Sequence, residues 1–506
     1  RRGSGAMRET ITFVLNNRIE RVSGLSGDAT LLDWLRQRRR LTGSKEGCAE
    51  GDCGACTVVV ARRDSATGAM RWHPVNACIQ FMGMLEGTSV TTIEGIMPEG
   101  EDAPDLHPCQ QVMVDRHGSQ CGFCTPGFVM SMFAAWCNGE GLDEAGIDTT
   151  LAGNLCRCTG YRPIVDAAAD LKTRDIPPAF ESRRRAREAA LMDEIAHDET
   201  VAIGDGTRRF IAPATAEEFA REYATARDAT IVAGATDVGL WVTKQNRHMP
   251  QMIWTGRVRG FDEMVRQGAH WRIGPAVTHE AALQTLAEGR PDFAEVMRRF
   301  GSLQVRSSGT MCGNIANGSP IGDLPPMLIA LAADVELAGV SSNRRMPLED
   351  FFIDYGVQDR EAGEFVSALL VPVAASPHFR AYKISKRFDQ DISAVMGGFN
   401  ISVSDGRITD ARLAFGGMAA TPKRAAAAEA ALVGAGLGME AFREAAAALE
   451  GDFTPISDMR ASAGYRIQVA ANLLLKYGMD LTGTPVPRLT GPGAGLSADT
   501  LREARI

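Results

Sequence analysis

The sequence lacks a long apolar run, and it also lacks a block of basic residues. Its longest strongly apolar stretch, residues 128–136, is far shorter than the roughly 20 residues that a membrane-spanning helix requires. With 54 Lys and Arg against 62 Asp and Glu, the net charge is −8, so neither nucleic acid nor a membrane is an expected partner. Residues 1–6, ahead of Met7, have no apolar core and are not expected to be a signal peptide. We expect a cytoplasmic protein of several domains.

Cysteine is the residue type with the clearest pattern. The chain has 11 cysteines, an odd number that does not suit a disulfide framework. Three of them, Cys109, Cys137 and Cys312, stand apart and are expected to be ordinary buried thiols. The remaining eight form two groups, the first being Cys48, Cys53, Cys56 and Cys78, and the second Cys121, Cys124, Cys156 and Cys158.

The first group has the Cys-x4-Cys-x2-Cys spacing with a distant fourth cysteine, which is typical of plant-type [2Fe–2S] ferredoxins. Gly47, Gly51 and Gly54 lie in this loop and allow backbone amides to approach the sulfur atoms. A structural zinc site is the alternative, but zinc sites favour two Cys-x2-Cys pairs over a gap of four residues. The spacing therefore favours an iron–sulfur cluster.

The second group combines a Cys-x2-Cys pair with a Cys-x-Cys pair, each expected at the start of a helix. Pro126 suits the first turn of one helix, and the other begins near Pro163. The helix dipole at such positions favours thiolates over thiols. The spacing alone leaves both zinc and an iron–sulfur cluster open.

Two glycine-containing segments are candidates for binding a nucleotide. Residues 231–239 are predicted to be a strand that enters a turn, where backbone amides can reach a pyrophosphate. Residues 309–323 contain four glycines and several small polar residues. Neither segment is the Gly-x-Gly-x-x-Gly dinucleotide fingerprint, and an ordinary turn and a surface loop are the alternatives.

The residues around the second cysteine group resemble those of the molybdenum hydroxylases, the family of xanthine dehydrogenase and aldehyde oxidase. The motifs are Gln-Cys-Gly-Phe-Cys-Thr-Pro-Gly at 120–127 and Gly-Asn-Leu-Cys-Arg-Cys-Thr-Gly-Tyr-Arg-Pro at 153–163. The resemblance extends over residues 8–480 and implies that the eight grouped cysteines hold two [2Fe–2S] clusters. Gln120 matches a glutamine that meets the molybdopterin cofactor in this family, with a structural N-cap as the alternative.

The resemblance implies a multidomain α+β fold. The predicted segments are a β-grasp [2Fe–2S] ferredoxin domain at 7–92, a four-helix [2Fe–2S] domain at 93–176, an exposed linker at 177–200, an α+β FAD-binding domain of the PCMH type at 201–376, an α+β C-terminal flavoprotein domain similar to that of CO dehydrogenase at 377–490, and a tail at 491–506.

By the same resemblance, the two glycine-containing segments are FAD-binding loops. Asp323 would hold the adenosine ribose, Phe300 would stack on a ring and Lys383 would hydrogen-bond the flavin edge. The alternatives are an N-cap, a core aromatic residue and a solvated charge. The loop 386–395 would lie near the isoalloxazine and influence whether NAD⁺ or O₂ removes the electrons. The matching positions are Ile231, Val232, Ala233, Gly234, Ala235, Thr236, Asp237, Val238, Phe300, Thr310, Met311, Cys312, Gly313, Asn314, Asp323, Val366 and Lys383.

The resemblance implies an electron-transfer subunit with no catalytic residue of its own. Single-chain relatives continue into a large molybdenum domain, so we expect a separate large molybdenum-binding subunit that carries molybdopterin, in a dimer of heterodimers. The arrangement is most similar to the small subunit of bacterial xanthine dehydrogenases, which implies oxidation of hypoxanthine and xanthine to urate with NAD⁺ as acceptor. Two alternatives stay open: a related molybdenum hydroxylase acting on another heteroaromatic compound or an aldehyde, and a stand-alone ferredoxin-linked flavin reductase.

Overall fold

The computed structural model describes residues 7–65, 67–97, 105–140, 142–172, 178–226, 228–484 and 486. These residues form a sheet domain, a helical domain, a long connecting helix and two further domains of mixed strands and helices. The predicted multidomain α+β fold is thereby confirmed. None of the helices within these ranges combines the length and the apolar character needed to cross a bilayer.

The N-terminal domain is built on one mixed sheet. Its elements are β1 (Ile11–Leu15), β2 (Arg18–Val22), α1 (Leu31–Asp33), β3 (Thr57–Arg63), β4 (Met70–Asn76) and β5 (Ser89–Thr91). The strand order β2-β1-β5-β3-β4, with β1 and β5 parallel, is the predicted β-grasp arrangement. Asn16 and Asn17 join β1 to β2 with φ values of 48° and 60°, as a type I′ turn requires. After α1 the chain continues in a π-helical turn, Trp34–Arg38.

Among the described residues, the second domain contains four α-helices, as predicted. They are α2 (Pro108–Asp115), α3 (Thr125–Asn138), α4 (Glu144–Leu151) and α5 (Arg162–Leu171). α3 is the central helix, with Phe128, Met132 and Phe133 fully buried in the core of this domain. Pro126 occupies its first turn, where a missing backbone N–H costs no hydrogen bond.

The connection to the third domain is a helix, α6 (Pro178–Ile195), where the sequence predicted an exposed linker. That prediction is wrong for one face of the helix, where three charged side chains pack inward, while Arg183 and Arg187 on the other face are exposed. Glu181, Arg184 and Glu188 expose only 7%, 8% and 1% of their surface. Arg184 lies 2.6 Å from Glu181 and 3.5 Å from Glu188, and charges that neutralise one another in this way can be buried. Residue 177 of the predicted linker, and residues 173–176 at the end of the predicted four-helix domain, lie outside the described residues.

The third domain contains two main sheets. Its strands are β6 (Val201–Gly204), β7 (Arg209–Ala212), β8 (Thr230–Val232), β9 (Gln251–Trp254), β10 (Met264–Gln267), β11 (His270–Ile273), β12 (Asp334–Ala338), β13 (Asn343–Pro347), β14 (Phe352–Asp354), β15 (Val357–Gln358) and β16 (Phe365–Pro372). Its helices are α7 (Ala216–Thr225), α8 (Val238–Thr243), α9 (His279–Ala287), α10 (Pro291–Arg299), α11 (Leu303–Ser308), α12 (Met311–Asn317), α13 (Leu324–Ala330) and α14 (Leu348–Phe351). The orders are β6-β7-β9-β8 and β10-β11-β16-β12-β13.

The fourth domain is a four-stranded antiparallel sheet, in which strands consecutive in sequence are also neighbours in space, covered by helices. Phe399, Phe415, Phe442 and Tyr477 form much of its aromatic core. The predicted tail, 491–506, lies outside the described residues. The elements of this domain are β17 (Arg380–Ile384), β18 (Val395–Ser404), β19 (Arg407–Gly416), β20 (Lys423–Arg424), α15 (Ala426–Leu432), α16 (Met439–Asp452) and α17 (Ala463–Leu481).

The three isolated cysteines, Cys109, Cys137 and Cys312, are buried, as predicted. Burial raises the pKa of each thiol, to about 12 for Cys312. A thiol that stays protonated is a poor metal ligand, so these three side chains are not expected to bind metal.

Candidate functional site

The first cysteine group lies in the loop between the π-helical turn and β3, with Cys78 just after β4. Its sulfur atoms form one cluster, in which Cys48 contacts Cys53 and Cys78, and Cys78 also contacts Cys56. Two backbone amides donate to the sulfur of Cys48, that of Cys53 at 3.3 Å and that of Glu50 at 3.5 Å. The structure thus brings the four predicted ligands together, with amides aimed at sulfur.

Hydrogen bonding favours the thiolate form of Cys48. Bonds from Cys53 and Cys78 lower the pKa of Cys48 well below its ordinary value. The bond to Cys48 raises the pKa of both donors, and burial raises them further. Amides that stabilise a thiolate here would also stabilise the added charge of a reduced iron–sulfur cluster.

Two positions of this loop accept only glycine. A Cβ at Gly54, where φ is +69°, would lie 2.2 Å from the carbonyl oxygen of Gly153. A Cβ at Gly47 would lie 2.8 Å from the sulfur of Cys53. Because glycine has no Cβ, the loop can wrap closely around its sulfur atoms. The donor set and the cradle fit a [2Fe–2S] cluster.

The second cysteine group pairs one thiol from each of its two loops. Cys124 contacts Cys156, and Cys121 contacts Cys158. Burial, and then the contact with Cys156, raise the pKa of Cys124 to about 12. Burial opposes ionisation of Cys156 as well, but hydrogen bonds from Thr159, whose hydroxyl lies 3.2 Å from the sulfur, outweigh it and lower the pKa.

The paired thiols suit two iron atoms, since each iron of a [2Fe–2S] cluster takes two cysteine ligands. Across the part of the chain that the structure describes, no three His, Cys, Asp or Glu side chains converge as ligands of one metal ion.

The two cysteine-bearing loops touch each other. The backbone amide of Leu155, which precedes Cys156, donates to the carbonyl oxygen of Cys53 at 3.0 Å. Next to it, the side chain of Asn154 donates to the carbonyl oxygen of Gly54 at 3.0 Å. A single backbone hydrogen bond therefore connects a predicted ligand residue of one group to the residue beside a predicted ligand of the other.

The two predicted FAD loops lie back to back. The first follows β8, and the second leads from α11 into α12. A Cβ at Gly234 would lie only 1.9 Å from the carbonyl oxygen of Ser308, so only glycine permits this contact. Ala235 has a φ of +60°, and Thr310 caps α12 by accepting a bond from the amide of Gly313 at 3.0 Å. The loops thus form one surface of close-packed backbone.

An unpaired polar atom marks this surface as a place for a ligand. The side-chain oxygen of Asn314 is buried without a hydrogen-bond partner among the described residues. Buried polar atoms in folded proteins nearly always have a partner, and an N–H or O–H group of FAD would supply one. The residues present therefore fit the predicted cofactor.

Phe300 and Val366 lie close to the second FAD loop. Phe300 packs against His279 with 4.8 Å between ring centroids, and the amide of His279 donates to the carbonyl oxygen of Gly309 at 2.9 Å. Val366, on β16, is buried in the same core as Cys312. Their contact with FAD stays a prediction.

Asp323 and Lys383 form an ion pair in the interior, each with 4% of its surface exposed. The ammonium of Lys383 lies 2.7 Å from Asp323 and donates to Ser393 at 2.9 Å, while Ser393 donates to Asp323 at 2.5 Å. The resemblance assigned Asp323 to the adenosine ribose and Lys383 to the flavin edge, and their contacts with FAD stay predictions.

The FAD-binding domain also contacts the first cysteine loop. Thr243, at the end of α8, donates to the carbonyl oxygen of Ala49 at 2.7 Å. Lys244 pairs with Glu50 at 3.6 Å. Because α8 begins at Val238, the last residue of the first FAD loop, one short helix connects that loop to the first cysteine group.

The second cysteine group is at the surface. Gln120, Cys121 and Cys158 are exposed, whereas Cys56 and Cys78 of the first group are buried. The same two loops carry large hydrophobic side chains that leave much of their own surface uncovered. These side chains are Phe123 (44% exposed), Leu155 (41%) and Tyr161 (41%).

The sequence analysis missed Gln304, whose amide reaches Thr57, Ser131 and Asn154 in the two N-terminal domains. Asn154 does lie within a motif that the sequence analysis used. Gln304 lies in a short helix with no recognisable pattern, and only the fold brings it to these loops.

Three parts of the chain match known protein families. Residues 92–169 match the family described as [2Fe–2S] binding domain, residues 205–374 the FAD binding domain in molybdopterin dehydrogenase, and residues 380–481 the CO dehydrogenase flavoprotein C-terminal domain. These matches confirm that the chain has [2Fe–2S]-binding, FAD-binding and flavoprotein domains. The first cysteine group lies ahead of the matched ranges.

Several xanthine dehydrogenases resemble most of this chain. Identity is 30% over 483 residues with xanthine dehydrogenase from Emericella nidulans, covering 84% of this chain and 35% of that protein. It is 28% over 517 residues with xanthine dehydrogenase 1 from Arabidopsis thaliana, covering 88% and 38%. It is 29% over 460 residues with xanthine dehydrogenase/oxidase from Mus musculus, covering 81% and 34%. The chain spans roughly a third of the length of these relatives.

Solved structures match about half of the chain. A carbon monoxide dehydrogenase chain from Hydrogenophaga pseudoflava matches with a TM-score of 0.50 and 25% identity, covering 53% of this chain and 94% of that chain. A chain of quinoline 2-oxidoreductase from Pseudomonas putida 86 matches with a TM-score of 0.50 and 24% identity, covering 54% and 96%. The second likeness shows a shared fold only.

Proposed function

We propose that this chain, which belongs to the molybdenum hydroxylase family, carries electrons from a molybdenum centre on a partner subunit through two [2Fe–2S] clusters to FAD. An unbroken path of contacts carries the proposal. The path starts at the exposed second cysteine group and passes through the bond between Leu155 and Cys53 to the first cysteine group. It continues through Ala49 and Thr243 to the first FAD loop.

The residues of this chain hold the cofactors and set the distances between them. The eight grouped cysteines would bind the two clusters, which carry electrons singly, and FAD would release two electrons together as a hydride. The amides at Cys48 favour the more negative state of the first cluster. The backbone of the two FAD loops would approach the pyrophosphate, and the Asn314 side chain would accept a bond from the cofactor.

The exposed face around the second cysteine group supports a protein partner at this end of the path. Phe123, Leu155 and Tyr161 are apolar side chains beside exposed cysteines, and such a patch is typical of an interaction site. The partner we propose is a large molybdenum-binding subunit that carries molybdopterin, near Gln120. The assembly would be a dimer of heterodimers in the cytoplasm.

The proposed reaction is that of xanthine dehydrogenase, in which hypoxanthine and xanthine are oxidised to urate on the partner subunit and NAD⁺ takes the electrons from FAD. Relatives that carry this name match more than four-fifths of the chain, which supports the proposal. A related molybdenum hydroxylase with another substrate is the second candidate. The likeness to a carbon monoxide dehydrogenase chain supports it.

A cysteine substitution in the native complex tests the electron path. Cys158→Ala should lower the iron content from about four to about two atoms per chain, because one cluster loses a ligand. Flavin should stay bound, and the bleaching of FAD by reducing substrate should disappear. The measurements are iron and flavin analysis, electron paramagnetic resonance (EPR) of the reduced protein and anaerobic absorbance.

Cys137→Ala is the matched control, since Cys137 is a buried cysteine outside both groups. It should keep all of the iron and the substrate-dependent bleaching. Zinc in place of iron in the unsubstituted protein, or full bleaching in Cys158→Ala, would refute the proposed path. Bleaching of the unsubstituted complex by xanthine, as against bleaching by another heterocycle, an aldehyde or carbon monoxide, decides between the two candidate reactions.

A further inference from the structure

One buried amide connects the FAD-binding domain to both cysteine-bearing loops. Gln304, in α11, is 1% exposed. Its Nε2 lies within hydrogen-bond distance of three acceptors, the hydroxyl of Thr57 at 3.2 Å, the hydroxyl of Ser131 at 3.1 Å and the side-chain oxygen of Asn154 at 3.2 Å, which share its two N–H groups. Thr57 directly follows a cysteine of the first group, and Asn154 lies two residues before a cysteine of the second. We call these four residues the glutamine junction.

The chemistry of the junction calls for a donor at position 304. The hydroxyl hydrogen of Thr57 is used in a bond to the carbonyl oxygen of Gly54 at 2.6 Å. The hydroxyl hydrogen of Ser131 is used in a bond to Asn154 at 2.6 Å. Both hydroxyls therefore present lone pairs to Gln304, and so does the Asn154 oxygen. A carboxylate at this position would place a negative oxygen against three acceptors.

Stability alone does not explain the glutamine. Its own side-chain oxygen, Oε1, is buried without a hydrogen-bond partner among the described residues, which is unfavourable. The backbone at Gly153 packs so tightly against this oxygen that a Cβ there would lie 1.9 Å from it. An apolar side chain would avoid the unpaired acceptor, yet it would remove the one donor that Thr57, Ser131 and Asn154 share. Asn154 would still accept from Ser131 at 2.6 Å and Thr57 from Asn154 at 3.3 Å, whereas the Ser131 hydroxyl would lose its donor.

We propose that Gln304 is a positioning residue for electron transfer. By holding Thr57 and Asn154 to one nitrogen atom, it keeps the bond between Leu155 and Cys53 formed and thereby sets the separation of the two clusters. The inference rests on the proposed function, because it requires both clusters. Gln304 contacts no predicted cysteine ligand and acts through its neighbours.

The test uses the native complex with Gln304→Glu and Gln304→Met. The readout is the magnetic interaction between the two reduced clusters, measured as splitting in low-temperature EPR spectra. Iron and flavin contents and the rate of FAD reduction are measured on the same samples. We expect both variants to keep full iron and flavin, to lose or change the splitting, and to reduce FAD more slowly.

Gln80→Glu is the matched control. Gln80 is also a buried amide, and it donates across the same domain boundary to Ser308 at 3.0 Å, but it is no part of the junction. It should leave the splitting unchanged. Unchanged splitting in both Gln304 variants overturns the inference, as does loss of a cluster from both, which would make Gln304 a folding residue. Unsubstituted protein without two clusters would refute the proposed function itself, a result distinct from either.

Discussion

Glu188 lies on the buried face of α6, and its substitution tests how this helix is held against the N-terminal domains. Its carboxylate accepts hydrogen bonds from the indole of Trp72 at 3.0 Å and the hydroxyl of Ser89 at 2.7 Å. It also lies 3.5 Å from Arg184, which keeps a closer partner in Glu181 at 2.6 Å. In Glu188→Ala, two buried donors lose their acceptor, while the arginine stays neutralised.

The expected loss of stability follows from these contacts. A buried donor without an acceptor costs about 1–3 kcal/mol, so the two donors together cost about 4 kcal/mol. The arginine adds little, because its remaining ion pair is the shorter one. With a urea dependence of about 2 kcal/mol per M, the unfolding midpoint of these domains should fall by about 2 M.

Urea unfolding of the N-terminal domains is followed by the loss of visible iron–sulfur absorbance and by tryptophan fluorescence. Glu440→Ala is the matched control, since Glu440 lies on α16, is 77% exposed and pairs with Arg443 at 3.2 Å. It should cost less than about 0.5 kcal/mol. If Glu188→Ala shifted the midpoint no more than Glu440→Ala, α6 would not be docked on the sheet and the reasoning would be refuted.

Three further predictions concern other parts of the molecule. Gly54→Ala should strongly reduce the iron content, because its Cβ would lie 2.2 Å from a carbonyl oxygen. Gly139 also has a positive φ but open space around it, so Gly139→Ala should keep the iron and lower the free energy of unfolding by about 1 kcal/mol. Lys383→Met leaves a buried carboxylate unpaired and should destabilise the flavin domain by about 3–5 kcal/mol in flavin-monitored unfolding; a loss below about 1 kcal/mol would contradict the ion pair. Hydrogen bonds from Arg344 lower the pKa of Glu364. The ionised Glu364 therefore stabilises the folded state fully above about pH 4.3, the ordinary pKa of glutamate, and this stabilisation is lost as pH falls through the lower pKa of the folded state. Glu364→Gln should therefore flatten the acid-side decline in the urea midpoint, and an unchanged decline would argue against this carboxylate.

Much of the fold was predictable because the responsible interactions are local. The Asn16-Asn17 pair specifies a tight hairpin, since both residues tolerate positive φ. The cysteine spacing of the first loop and the proline at position 126 act within a few residues of themselves. The isolated cysteines were correctly expected to be buried, because a thiol is a small apolar group. Each of these features depends only on residues that are close to it in sequence.

The sequence by itself determined the cysteine groups, the order of the domains and the glycine-containing loops, while the tertiary structure decided which polar groups are satisfied in the interior. The sequence predicts that the charged run of α6 is exposed, because Glu188 bonds to Trp72, which lies 116 residues away in sequence. The pairing of Asp323 with Lys383 spans 60 residues, and Gln304 meets Thr57 across 247. Most buried polar groups have a hydrogen-bond partner, and for these residues folding rather than neighbours in sequence supplies it.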